Sequence, residues 1–329
     1  MIWPPDWQLL LTIFQSVLLE AFPFVLVGVL VSALIEVFVD QDIIHRMLPK
    51  NRLVSMVAAC LLGLLFPLCE CGIVPVVRRL VNKGVPISAG IAFMLAAPII
   101  NPVVIASTAM AFAHQPTMIL HRILGGFLVA LTIGLTLEAV FGGRKAQQLL
   151  LQQTHGSDCE HRDHGSGHQH DHHHHPGHDH DHEHKHHSGG GGLLQKGSFV
   201  LSHACDEFFS TGKFLILGAF LAALLQSVLS HRVLDTLGQH PLASRFSMMG
   251  LAYGLSLCSE ADAFVASTFA HSFLPGAVLA FLLLGPMIDI KNTLMLLGNF
   301  RTRFVLLLIP LIIAVVTAYS YLMGIILPI

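Results

Sequence analysis

Two short stretches place thiols and carboxylates inside otherwise apolar sequence. They are Phe66-Pro67-Leu68-Cys69-Glu70-Cys71-Gly72-Ile73-Val74-Pro75 and Leu257-Cys258-Ser259-Glu260-Ala261-Asp262. A charged side chain at the bilayer centre costs roughly 2.5–3.5 kcal/mol on insertion scales, so acids in such surroundings indicate function. Thiolates are soft ligands that favour Zn²⁺, Cu(I) and thiophilic metalloids. We therefore expect a single binding site for such a substrate, formed by Cys69, Glu70, Cys71, Cys258, Glu260 and Asp262.

The alternative is that these cysteines are small packing residues, because free cysteine behaves as a small hydrophobe. We favour that interpretation for Cys60, which has no acidic neighbour. In both stretches the sulfur is accompanied by acids, and this favours a functional role.

A second pair of polar residues follows prolines in apolar sequence: Asn101 after Pro98, and Asp289 after Pro286. A proline inside a membrane helix frees backbone carbonyls, which are tolerated where they line a cavity. Asn101 and Asp289 are therefore candidate substrate- or ion-binding residues. A simpler role for Asp289 is an ion pair with Lys291, two residues along the chain.

The composition predicts the class of protein that positions these residues. Of 329 residues, 53% are hydrophobic and only 12% are charged, whereas soluble domains carry about 25% charged residues. Long apolar segments predict an all-α, polytopic membrane protein with about eight transmembrane helices. The predicted spans are Leu9–Phe38, Leu53–Leu80, Pro86–Phe112, Met118–Phe141, Phe199–Leu229, Phe246–Phe269, Pro275–Phe300 and Phe304–Leu327. Breaks are expected around Pro67–Pro75 and Pro98–Pro102.

The two halves of the chain resemble each other. Cys69 and Cys258 are 189 residues apart, and Asn101 and Asp289 are 188 apart. Such repeats are common in transporters, whose substrate site lies at the repeat interface where helices are discontinuous. The arrangement of Lys and Arg does not decide the orientation in the membrane. We predict two four-helix repeats, residues 1–145 and 198–329, separated by a loop at residues 146–197.

The loop contains a histidine tract. From His155 to His187 there are fifteen His and seven Asp or Glu, and no apolar periodicity predicts a fold there. Neutral imidazole is the commonest metal ligand, but the spacing is not that of a fixed structural site. We expect a disordered metal reservoir or sensor, with a plain solvated linker as the alternative. Its candidate ligands are His168, His170, His172, His173, His174, His175, His178, His180, His182 and His184.

Three motifs resemble the ArsP-type predicted permease family: residues 66–76, residues 96–103 (Ala-Ala-Pro-Ile-Ile-Asn-Pro-Val) and residues 257–264. The resemblance implies a permease of about eight helices. Some members of that family export trivalent organoarsenicals, and others are thought to carry metals. The positions that match its motifs are Cys69, Glu70, Cys71, Asn101, Cys258 and Glu260. The histidine tract departs from the arsenical exporters and favours a divalent metal as substrate.

We therefore expect a secondary transporter in a bacterial cytoplasmic membrane, in contact with lipid, for a thiophilic metal ion, Zn²⁺ first. The runner-up substrate is a trivalent organoarsenical or related metalloid. An alternative from a different functional class is a membrane protein that binds metal or acts as a redox partner without transporting a substrate. No nucleotide-binding or catalytic-triad motif is present, so we expect no catalytic residues and no required cofactor. No basic face indicates nucleic acid as a partner.

Overall fold

The computed structural model describes residues 7–38, 51–64, 69–141, 193–228, 241–270 and 272–326. The candidate ligands from His168 to His184 and residues 66–68 of the first motif lie outside the described residues. The described part of the chain consists of helices joined by short turns and contains no strand, which confirms the all-α prediction. The helices are α1 (Trp7–Phe38), α2 (Arg52–Leu62), α3 (Glu70–Asn82), α4 (Ile87–Ile100), α5 (Pro102–Ala111), α6 (Pro116–Phe141), α7 (Leu193–Val228), α8 (Pro241–Leu255), α9 (Ser259–Phe269), α10 (Pro275–Met287), α11 (Ile290–Asn299) and α12 (Thr302–Ile326).

Helix length and hydropathy confirm a multi-pass membrane protein. Within the described ranges, five segments are long and apolar enough to cross a membrane: α1, α6, α7, α12, and α10 taken together with α11. Helices α4 and α5, bent by 41° at their junction, make a sixth. Helices α2, α3, α8 and α9 have 11 to 15 residues each, fewer than the roughly 20 that a crossing requires. The count of eight spans therefore stays a prediction.

The chain breaks its helices where polar residues interrupt apolar sequence. The expected breaks occur before Glu70 and at Asn101. The predicted span Phe246–Phe269 is divided as well, between α8 and α9. Ser256 there has a φ of 47°, a left-handed conformation that a helix cannot continue. Its hydroxyl accepts a hydrogen bond from the backbone N–H of Ile290 (3.1 Å), which ties this break to the start of α11.

The core lies around α4 and α10, which pack against each other and are buried along almost their whole length. Helices that are apolar all round are typical of such positions. The short helices make contacts between the two halves of the chain, since α3 packs on α11 and α9 packs on α5. Helix α1 approaches α3 closely at Gly28, where an added Cβ would lie 2.6 Å from the Cα of Gly72. The fold therefore brings the broken ends of both halves together.

Candidate functional site

A pocket of about 210 Å³, including its open mouth, lies between α1 and the starts of α3, α9 and α11. It is lined by Val17, Glu20, Ala21, Phe24, Cys69, Glu70, Cys71, Cys258 and Lys291. The three cysteines are buried and carry free thiols. Sequence reasoning expected the two motifs to meet, and the structure brings the sulfurs of both halves to the wall of one pocket.

Cys69 and Cys258 occupy the same position in their helices, because each is the N-cap residue in extended conformation. The sulfur of Cys258 accepts a hydrogen bond from the N–H of Ala261 (3.4 Å), whereas Cys69 makes no such side-chain bond. The first N–H groups of a helix lack partners within it and carry partial positive charge. Two helix starts that suit electron-rich groups therefore face the pocket.

Glu70 is joined to Asp289 through Lys291. The Lys291 Nζ lies 3.5 Å from Glu70 Oε1 and 3.5 Å from Asp289 Oδ2. All three side chains are at most 3% exposed. The ion pair between Lys291 and Asp289 that the sequence suggested is present. Lys291 therefore shares one positive charge between Glu70 and Asp289.

The two halves also meet at corresponding positions. Ser259 Oγ donates a hydrogen bond to Glu70 Oε2 (3.3 Å) across 189 residues of sequence. That is the same offset that relates Cys69 to Cys258. The candidate site thus lies where the two halves of the chain meet.

Two further buried charged residues, Arg122 and Asp262, lie near the start of α9. Arg122 on α6 is 1% exposed and donates to Thr108 Oγ1 (2.6 Å) and to the carbonyl oxygen of Ser259 (2.8 Å). Asp262 is fully buried and neither of its carboxylate oxygens accepts a hydrogen bond, but Arg122 is close enough to attract it electrostatically. A Cβ on Gly285 would lie 2.5 Å from Asp262 Oδ2, so this glycine leaves room for the carboxylate.

Four of the predicted site residues do not line the pocket. Asn101 and Asp289 are buried N-caps of α5 and α11, and they accept from the N–H groups of Val104 (2.8 Å) and Asn292 (2.6 Å). Asp289 reaches the pocket only through Lys291. Asp262 is buried on α9, and Glu260 is half-buried at the start of that helix.

The pocket is not a preformed metal cage. Within the ranges that the structure describes, no three side chains of His, Cys, Asp or Glu are placed so that they could hold a metal ion together. A metal ion held by three such side chains would require them to move from these positions.

Sequence reasoning did not assign a site role to Glu20, Arg122 or Lys291. Glu20 and Lys291 line the pocket, and Arg122 holds the start of α9 through Ser259. Each is a charged residue inside a predicted apolar span. That signal alone marks a residue as functional in a membrane protein, and it could have found all three.

A further charged cluster lies towards the C-terminal end of α3. Arg79 contacts Glu207 (Nε to Oε2, 3.2 Å) and Glu36 (3.5 Å), and Ser32 Oγ donates to Glu207 Oε2 (2.9 Å). These contacts join α1, α3 and α7. Arg79 lies nine residues beyond Glu70, which is about 14 Å along a helix. The cluster therefore ties both halves together on one side of the pocket.

Comparison with known proteins identifies relatives along nearly the whole chain. The ArsP_1 family model, described as "Predicted permease", matches residues 6–325. The UPF0718 protein YcgR of Bacillus subtilis is 46% identical over 313 residues, which cover 94% of this chain and 95% of the relative. A Streptococcus mutans protein, named as a candidate subunit of a two-component membrane permease complex, is 37% identical over 315 residues, 96% of this chain and 95% of the relative. No solved structure matches.

Proposed function

The chain belongs to the ArsP_1 family of predicted permeases, and we propose that it is a secondary transporter for a thiophilic metal ion, Zn²⁺ first. One observation carries the proposal: three cysteines from two distant parts of the sequence line a single pocket together with Glu20 and Glu70. Sulfur selects soft or borderline cations over Na⁺, Mg²⁺ or Ca²⁺.

The charges around the pocket support a cationic substrate. Glu70, Asp262 and Asp289 are buried acids, and Lys291 and Arg122 are buried bases. At the pocket, Glu70 and Asp289 share the single ammonium group of Lys291. Glu20 lies at the pocket wall as a further acid. An entering cation would therefore reduce the charge imbalance of a low-dielectric site.

The broken helices support alternating access. Cys69 and Glu70 belong to the first half and Cys258 and Lys291 to the second, so a rocking motion of one half against the other would open and close the same pocket. Such a motion would also bring the thiols together around the ion. In this proposal the histidine tract is a reservoir that raises the local metal concentration.

A neutral trivalent organoarsenical is the second candidate, and a specific observation favours it. Val17, Ala21 and Phe24 form an apolar part of the pocket wall, which suits an organic substituent. A neutral metalloid would also leave the pairing of Lys291 with Glu70 undisturbed.

An uptake panel with purified protein in liposomes tests these assignments. We expect Zn²⁺ to accumulate in the lumen and to be competed by other thiophilic cations but not by Mg²⁺. Accumulation of phenylarsenite in place of Zn²⁺ would establish the second candidate. Saturable binding of Zn²⁺ with no lumenal accumulation would contradict transport and favour a metal-binding protein.

A further inference from the structure

Lys291 occupies the place where a cationic substrate would meet Glu70. It lines the pocket beside the cysteines, and its Nζ bridges two buried acids at 3.5 Å each. Helix α7 packs tightly against the backbone of Lys291, since a Cβ on Gly218 would lie 2.7 Å from the Lys291 Cα. The ammonium group is therefore held in the pocket wall while the four-carbon stem leaves its tip room to turn.

The first half of the chain shows that this charge pair is not needed for the helix break. By the repeat offset, Asp289 corresponds to Asn101 and Lys291 to Val103. Asn101 caps α5 through its side-chain oxygen in the same way as Asp289 caps α11. A buried ion pair often adds no net stability over neutral residues of similar size. The acid and base in the second half thus call for an explanation other than capping.

We propose that Lys291 is a built-in competitor of the substrate cation. In the empty transporter its ammonium group compensates Glu70. When the metal ion enters beside the thiols, Glu70 turns to the ion and Lys291 stays paired with Asp289. When the ion leaves, Lys291 returns to Glu70, so that the empty pocket does not hold an uncompensated carboxylate. This role rests on the proposed function, in which the substrate is a cation.

The competition has two consequences of opposite sign. Removing the ammonium group relieves its repulsion of the ion, so Lys291→Met should bind Zn²⁺ more tightly and release it more slowly. Removing the second acid leaves Lys291 with Glu70 as its main partner, so Asp289→Asn should bind Zn²⁺ more weakly. Asparagine is the residue that caps the corresponding helix α5, and this substitution should therefore preserve the helix start.

A protection assay on the full-length protein measures binding at the pocket itself. Protein in detergent micelles is titrated with Zn²⁺ and labelled with a maleimide, and mass spectrometry quantifies the label at Cys69, Cys71 and Cys258. Cys205 is exposed on α7 and serves as the internal control that Zn²⁺ bound in the pocket should not protect. The histidine tract is the same in every variant, so its effect on the Zn²⁺ titration is common to all the proteins compared.

We expect the Zn²⁺ concentration for half-protection to fall at least about tenfold in Lys291→Met, because repulsion between two cations is strong at a buried site. It should rise in Asp289→Asn. If Lys291→Met does not fold, the double variant Lys291→Met/Asp289→Asn, which reproduces the neutral pair of the first half, should bind more tightly than Asp289→Asn alone. The zinc concentration for half-maximal uptake should shift in the same directions.

The outcomes separate the two proposals. Suppose that Zn²⁺ protects the wild-type cysteines, but that neither Lys291→Met compared with wild type nor the double variant compared with Asp289→Asn binds Zn²⁺ more tightly. The competitor role is then wrong and the proposed metal transport stands. If no divalent cation protects the wild-type cysteines while phenylarsenite does, the cationic substrate and the role of Lys291 are both wrong.

Discussion

The close approach of α1 and α3 at Gly28 gives a prediction in which one type of substitution has opposite effects at two sites. In Gly28→Ala the new Cβ would lie 2.6 Å from the Cα and 2.7 Å from the carbonyl carbon of Gly72. Carbon atoms in contact lie about 3.5–4.0 Å apart, so the helices would have to separate by roughly 1 Å. Such overpacking costs about 1–3 kcal/mol.

The matched control is Gly212→Ala on α7, where an added Cβ would meet nothing within 4 Å. Alanine is favoured over glycine inside a helix by up to about 1 kcal/mol, so this variant should be as stable as wild type or more stable. The gain from alanine applies to Gly28→Ala as well, so the two variants should differ by the overpacking cost of about 1–3 kcal/mol.

Thermal unfolding in detergent, followed by the loss of monodisperse protein, measures this difference, and uptake assays measure its functional effect. Helix α1 carries Glu20 and Phe24 of the pocket wall, so separating it from α3 should also reduce uptake. If Gly28→Ala is as stable and as active as Gly212→Ala, the tight packing of α1 on α3 does not shape the pocket.

Three further predictions concern charge and metal supply. Glu70→Gln should raise the Zn²⁺ concentration that half-protects the pocket cysteines. Glu260→Gln should change that concentration less than about twofold, because Glu260 does not line the pocket. Equal shifts in the two variants would contradict the assignment of Glu70, and not Glu260, to the pocket. Glu207→Gln removes the buried partner of Arg79 and should alter the uptake rate while leaving cysteine protection unchanged; a change in protection would mean that the cluster shapes the pocket. Deleting residues 156–188 should raise the Zn²⁺ concentration for half-maximal uptake but preserve the maximal rate; complete loss of uptake in well-folded protein would place the tract on the transport path.

The helix breaks show how much of the site could be predicted from sequence. Cysteine, acid and proline inside apolar sequence located the starts of α3 and α5, because such residues are tolerated in a membrane only where they are paired or line a cavity. The two motifs that place thiols and acids in apolar sequence predicted one site shared by Cys69 and Cys258, and both residues line one pocket. The break at Ser256 was missed, because its cause is a left-handed backbone conformation stabilised by a hydrogen bond from distant Ile290.

The electrostatics of the site were predicted less completely. Sequence spacing suggested that Lys291 pairs with Asp289, which is correct, but Glu70 lies 221 residues from Lys291 and no local pattern connects them. Likewise, Asp262 and Glu260 are neighbours in sequence, yet one is fully buried and the other is half-buried. The packing of α3 on α11 and of α9 on α5 decides which charges meet.

The most direct test of the central claim is Zn²⁺ uptake by cysteine variants in liposomes. Cys69→Ser and Cys258→Ser should each lower uptake at least about tenfold, because the serine oxygen is a much poorer ligand for a thiophilic ion. Cys60→Ser is the matched control, since Cys60 is buried away from the pocket lining and donates to the carbonyl of Ala92 (3.7 Å). Wild-type uptake by the Cys69→Ser/Cys258→Ser double variant would show that the thiols only pack, and would contradict transport through this pocket.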